Sequence, residues 1–246
     1  MSGWAMRRFW SEAQTEAVEG GFRVLLDGRP IKTPAKAALV VPTEAYAAAI
    51  AAEWQAQGDE VDPTSMPITR SANAAIDKLR VQRAEVADML AAYGDSDLLC
   101  YRADAPVELV ARQAETWDPY LDWAEARYGA RLAPRTGIMH APQAATALEA
   151  LRAEVHRIDD FGLAAFHDLV SLTGSLVLGF AAAEGQEAEA IWAASRLDET
   201  WQEEQWGVDE EAAELAARKK AQFQDALRVW QLSRVQSGAA GDGGAA

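Results

Sequence analysis

The chain contains one cysteine, Cys100, so an internal disulfide framework is excluded. Its three histidines, His140, His156 and His167, form no i, i+4 pair and stand in no HExxH or CxxC context, so no metal set is recognisable. Basic residues are scarce as well. Against 38 Asp and Glu there are 23 Lys and Arg, a formal net charge of −15. Such a field repels phosphate backbones and anionic bilayers, which excludes general nucleic-acid binding. Long apolar runs are missing too. The stretch from Leu169 to Ala183 falls short of the ~20 residues a membrane span needs and is expected to be buried helix. The first residues lack an apolar signal core, and Glu12, Glu16 and Glu19 come too early for a transit peptide. The chain contains no Walker loop and no GxGxxG, and Gly174-Ser175 lacks the second glycine of a nucleophile elbow. Cys100 has no neighbouring base and is expected to be a small buried hydrophobe. These gaps predict no cofactor, no metal and no membrane insertion, in a reducing compartment, the bacterial cytoplasm.

About half the residues are apolar and nine are tryptophan, which argues for a packed core. The first forty residues read as short strands at Thr15–Val18, Phe22–Leu26, Ile31–Thr33 and Ala38–Val41, separated by Gly20-Gly21 and Asp27-Gly28. Asp-Gly favours a type I′ hairpin because both central residues tolerate positive φ. From Thr43, a candidate N-cap, the period changes to that of a helix carrying Tyr46, Ala49, Ile50 and Trp54 and ending near Gly58. Further helices are predicted over 68–93, 106–128, 142–161, 163–183, 186–205 and 210–236, with Gly94, Gly129, Gly185 and Gly207 as stops. The fold class expected is α+β: a small N-terminal antiparallel β-rich domain followed by a larger all-helical domain. The domain boundaries expected are 1–97 and 98–236, and 237–246 is expected to be a disordered tail.

Between Glu184 and Glu214 stand eleven acidic residues and one basic residue, Arg196. On a continuous helix, Ala194, Leu197 and Trp201 form one stripe, the expected core face. Trp192, Ser195, Asp198, Glu199, Gln202 and Trp206 gather on a neighbouring face that mixes aromatics with carboxylates. Two readings fit. One is a partner-binding face with aromatic anchors and steering charge. The other is a core helix whose acids pair with bases elsewhere. An enzyme centre would have to be assembled from Asp97, Arg70 and Asn73 in a cleft. A scaffold for another basic partner is a third possibility.

Several motifs run along the chain in a fixed order. They are Leu26-Asp-Gly-Arg-Pro-Ile-Lys-Thr-Pro34, Ala52-Glu-Trp54, Met66-Pro-Ile-Thr-Arg-Ser-Ala-Asn73 with Ile76-Asp77, and Asp97-Leu-Leu-Cys-Tyr-Arg102. Gln113 with Trp117-Asp-Pro119, Trp123-Ala124, and Ser195-Arg-Leu-Asp-Glu199 through Gln202 and Trp206-Gly207 complete the series. In this order, over about 200 residues, they resemble the assembly chaperones that bind the alpha subunit of the F-type ATP synthase catalytic sector, a mitochondrial family with alphaproteobacterial relatives. The resemblance implies an ATP-independent chaperone, not an enzyme, monomeric when free, with the alpha subunit as partner. It implies partner contacts at Asp198, Glu199 and Gln202, with Trp206 alongside, and the helical face adds Trp192 and Ser195 to this expected partner-binding set. Trp54, Arg70, Asn73 and Asp77 also match its motifs, as interdomain scaffolding or as partner contacts.

Overall fold

The computed structural model describes residues 7–137 and 139–234. The tail expected over 237–246 and the chain start lie outside the described residues. The architecture is α+β, with a small antiparallel sheet first and helices after it.

Strand β1 (Ala13–Val18) pairs antiparallel with β2 (Gly21–Leu26). The other edge of β2 takes β3 (Arg29–Pro30) at one end and β4 (Val40–Val41) at the other. Asp27 and Gly28 both have positive φ, 45° and 78°, as the Asp-Gly signal predicts. The expected strand over 31–33 is reduced to a single bridge, Lys32 to Ala38. Alternation along β2 turns Val24 and Leu26 inward, and helix α1 (Glu44–Gln55) covers them with Tyr46, Ala47 and Ile50. Thr43 caps α1, its hydroxyl accepting from the Tyr46 amide at 3.1 Å.

The predicted helix over 68–93 is three pieces: α2 (Pro67–Ala74), a π-helical turn over Ala75–Leu79, and α3 (Arg80–Ala91), which is kinked at Gln82. Gly94 is not a helix cap. It lies in a buried 3-10 turn where an added Cβ would come within 3.2 Å of the Leu148 side chain, a tight approach that Leu148 would have to yield to. Helix α4 (Val107–Tyr128) buries Gln113, Trp117, Leu121 and Ala124 along one face. A short parallel pair, β5 (Tyr101–Arg102) with β6 (Arg135–Thr136), lies beside it.

Three predicted helices break where the sequence reading ran straight through. The segment over 142–161 is α5 (Ala145–Arg157) and then the start of α6 (Asp160–Thr173), because Asp159 caps a new helix through the Gly162 amide at 2.8 Å. The apolar run over 163–183 splits at Gly174, which closes α6 with φ +68°, and Ser175, whose hydroxyl caps α7 (Leu176–Ala183). The acidic segment splits at Arg196 into α8 (Ala188–Ser195) and α9 (Leu197–Trp206). Helix α10 (Glu210–Ser233) follows.

Asp97 joins the two halves of the chain. It is wholly buried, and its carboxylate accepts from the Leu99 amide at 3.1 Å and the Val177 amide at 3.0 Å. Loss of solvent pushes its carboxyl up to about 6, against the pull of the Ser175 hydroxyl and those amides. Around it one apolar core runs continuously from Val24 and Ile50 to Phe166, Trp192 and Trp230. We therefore propose that the division at residue 97 marks the order of elements along the chain within one shared core. Cys100 is buried, as expected, and burial pushes its thiol up to about 12. Among the described residues no helix is long and apolar enough to cross a membrane.

Candidate functional site

The break at Arg196 decides which residues of the acidic segment can form a surface. Trp192 and Ser195 belong to α8 and face inward, both 8% exposed. The Trp192 ring packs 5.7 Å from Phe223 of α10, and the Ser195 hydroxyl donates back to the Trp192 carbonyl. The structure thus separates these two from the remainder of the expected face. Helix α9 starts afresh, burying Leu197 alone.

On α9, Asp198, Gln202 and Trp206 repeat every four residues and line one side of a groove of about 420 Å³. The opposite side is the segment over 101–106 with Leu109 and Gln113 from the start of α4. Trp201 is also there. Helical spacing puts it on the expected core stripe with Ala194 and Leu197. Instead it is half-buried against the groove, with the Arg112 guanidinium 5.0 Å from its ring centroid. Trp206 at the rim is 80% exposed, with Val107 at 73% and Val208 at 65% on neighbouring segments. Glu199 points away to solvent and lies 3.9 Å from Arg196.

One buried amide links the two walls of this groove. Gln113 is 1% exposed. Its oxygen accepts from the Ala103 amide at 2.9 Å, and its nitrogen donates to Asp198 at 2.7 Å. Gln113 therefore ties the two walls together and aims the Asp198 carboxylate. The nearby cations are already engaged. Arg102 pairs with Asp118 at 2.7 Å, Arg112 with Glu204 at 2.8 Å, and Arg196 with Glu203 at 3.0 Å. Among the described residues Asp198 has a neutral amide as its partner and no cation.

The other four expected residues lie elsewhere. Trp54 packs edge-on against Trp10 at 5.2 Å beside the sheet. Asp77 accepts from the Thr33 hydroxyl at 2.6 Å and the Ala35 amide at 3.1 Å, fastening the π-helical turn to the loop between β3 and β4. The Asn73 side-chain oxygen is buried. Arg70 lines a different groove, of about 480 Å³, between α2, α3, α6 and α10. Asp97 is committed to backbone amides, so Asp97 and Arg70 do not share a cleft. No group of side chains suited to a metal ion occurs among the described residues.

The sequence reading missed Gln113's role, Leu109, and the 101–106 segment as the second wall. Gln113 carried a signal only as a member of a motif, because it lies 85 residues from Asp198.

The family model for the ATP12 chaperone protein matches residues 7–125. A mutant of P. denitrificans Atp12p has a solved structure similar to this one at a TM-score of 0.91 and 51% identity, covering 95% of this chain and 100% of that one. Atp12 from Paracoccus denitrificans gives 0.90 at 52% identity, over 93% of this chain and 98% of that one. "Protein atp12, mitochondrial" of Schizosaccharomyces pombe is 29% identical over 224 residues, 86% of this chain and 77% of that protein. These likenesses are to chaperones, and the class they support for this chain is a chaperone. The chain belongs to the ATP12 chaperone family.

Proposed function

We propose that the protein is an ATP-independent holding chaperone for the unassembled alpha subunit of the F-type ATP synthase catalytic sector. A free alpha subunit exposes apolar surface meant for its beta neighbour, and such surface invites self-association. The chaperone covers that surface until the beta subunit replaces it. Competition between two interfaces is sufficient, and no bond is made or broken. The protein acts in the cytoplasm, monomeric when free, and is not an enzyme. Supporting this reading is Trp206, 80% exposed on a helix whose Asp198 has no cationic partner among the described residues. A large exposed aromatic beside uncompensated charge is the composition of a binding anchor.

Glu199 stands at the solvent edge of this helix, and its contact with Arg196 at 3.9 Å is that of an exposed ion pair, worth roughly 0–1 kcal/mol. Glu199→Lys is expected to reduce capture of the alpha subunit in a pull-down at least tenfold. Its helical circular-dichroism signal and Tm should stay near those of the parent. Full capture by the variant would remove Glu199 from the site, and unfolding would make it a structural residue. A pull-down that returns a different partner in place of the alpha subunit would overturn the proposal.

A further inference from the structure

We propose that the α9 groove recognises a basic–apolar segment of its partner: an aliphatic or aromatic side chain inserted between the walls, with an adjacent Lys or Arg placed on Asp198. This rests on the groove being the partner site.

Two observations on the walls define the occupant. First, the lining is apolar where a side chain would insert. Leu109 and Pro106 stand on one wall, and Trp201 and Trp206 on the other. Arg112 covers the Trp201 ring at 5.0 Å, while Trp206 is 80% exposed and free to stack on an incoming group. Second, the charge is unbalanced. Asp198 is half-buried in the lining and bonded to the Gln113 amide, while Asp104 adds a second carboxylate to the opposite wall. Among the described residues of the lining the one cation, Arg102, turns inward. Its side chain is 10% exposed, it pairs with Asp118, and it lies 5.2 Å from the Trp117 ring centroid. Outside the groove, Glu203 and Glu204 are paired with Arg196 and Arg112, so among the described residues the unbalanced charge of the groove is that of Asp198 and Asp104. The groove therefore complements a cation next to an apolar anchor, and charge sets the orientation of the segment. Gln113 acts as a positioning residue. It fixes the separation between the 101–106 segment and α9 and aims the carboxylate without reaching the partner, being 1% exposed.

The test uses the full chain and two dye-labelled twelve-residue peptides, read by fluorescence anisotropy in about 50 mM salt. Both carry a central Leu-Phe pair, flanked by Lys in one and by Glu at the same positions in the other. The parent protein is expected to bind the Lys peptide at least tenfold more tightly, and about 500 mM salt should reduce that preference to under threefold. Asp198→Asn, which keeps size and one acceptor oxygen, should erase the preference while retaining residual binding of both peptides. Trp206→Ala should weaken both equally. Gln113→Leu should lower the preference, and circular dichroism separates that result from unfolding. Equal binding of the two peptides by the parent overturns the proposal. So does no binding of either peptide at millimolar concentration, or an undiminished preference in Asp198→Asn. Intact peptide preference in a protein that fails to capture the alpha subunit supports the groove chemistry and overturns only the choice of partner.

Discussion

Trp117→Ala lowers the unfolding free energy by about 3–5 kcal/mol, the range for removing a large aromatic from a closed core. The indole is 0% exposed, lies in the middle of α4, and donates its Nε1 hydrogen to the Ala194 carbonyl at 2.8 Å. Two separate losses follow: the cavity, and a buried carbonyl without its donor. Trp117→Phe isolates the second. It keeps most of the volume and is expected to cost about 1–2 kcal/mol, the range for a buried hydrogen-bonding group left unmatched. Ala194 stands two residues before the turn at Arg196, so Trp117 also sets where α9 leaves α8. Trp117→Phe should therefore weaken partner capture more than its modest change in Tm would account for. Urea unfolding at neutral pH and a pull-down on the same preparation check both. A phenylalanine variant as stable as the parent would show that the indole bond contributes nothing net.

Asp97→Ala has the second-largest effect, and its size depends on pH. Removing the carboxylate strands the Leu99 and Val177 amides in a site with 0% exposure. An orphaned buried donor costs about 1–3 kcal/mol. Burial raises the folded carboxyl to about 6, whereas the unfolded chain titrates near about 3.9. Between those values the folded protein holds more proton than the unfolded chain. The stability that Asp97 contributes is thus greatest in acid and is lost as pH rises through about 6. From pH 4.5 to 7.5 that loss is about 2 kcal/mol. Asp97→Ala should therefore cost about 4 kcal/mol at pH 4.5 and about 2 kcal/mol at pH 7.5. Denaturant unfolding at the two pH values decides the matter. A deficit that grows with pH would mean that the amides hold the carboxylate ionised.

Local chemistry was legible in the sequence wherever it is self-contained. The Asp27-Gly28 turn, the Thr43 cap and the stop at Gly129, with φ +67°, depend on a few adjacent residues, and all appear as read. The helix breaks were harder to see. Gly174 and Ser175 sit in an apolar run whose hydrophobicity continues without change on both sides. Arg196 is a good helix former, and nothing in its own chemistry marks a turn there. Once that turn is crossed, counting 100° per residue no longer predicts a common face. Trp192 and Ser195 were therefore grouped with Asp198, although they point into the core. Half of the groove was beyond any periodicity argument, because the 101–106 segment and Gln113 meet α9 only through tertiary packing. The order of motifs indicated the family, and packing determined which motif residues share a surface. Asp77 and Trp54 hold elements of the fold in place, whereas Asp198, Gln202 and Trp206 meet in one groove.

The short α9 also has a dynamic consequence. Among the described α-helices it buries the fewest residues, Leu197 alone, and its ties to the rest include the Gln113 amide, the Arg112 stack on Trp201 and the half-exposed Arg112–Glu204 ion pair. An element with so few anchors opens at a lower free energy than the global unfolding that exposes α6 or α7. Its amide hydrogens should exchange with deuterium well before those of α6, and a bound client covering Trp206 should slow them selectively. The proposed contact helix can thus loosen while the core stays intact, so release of a client bound there need not cost the protein its fold.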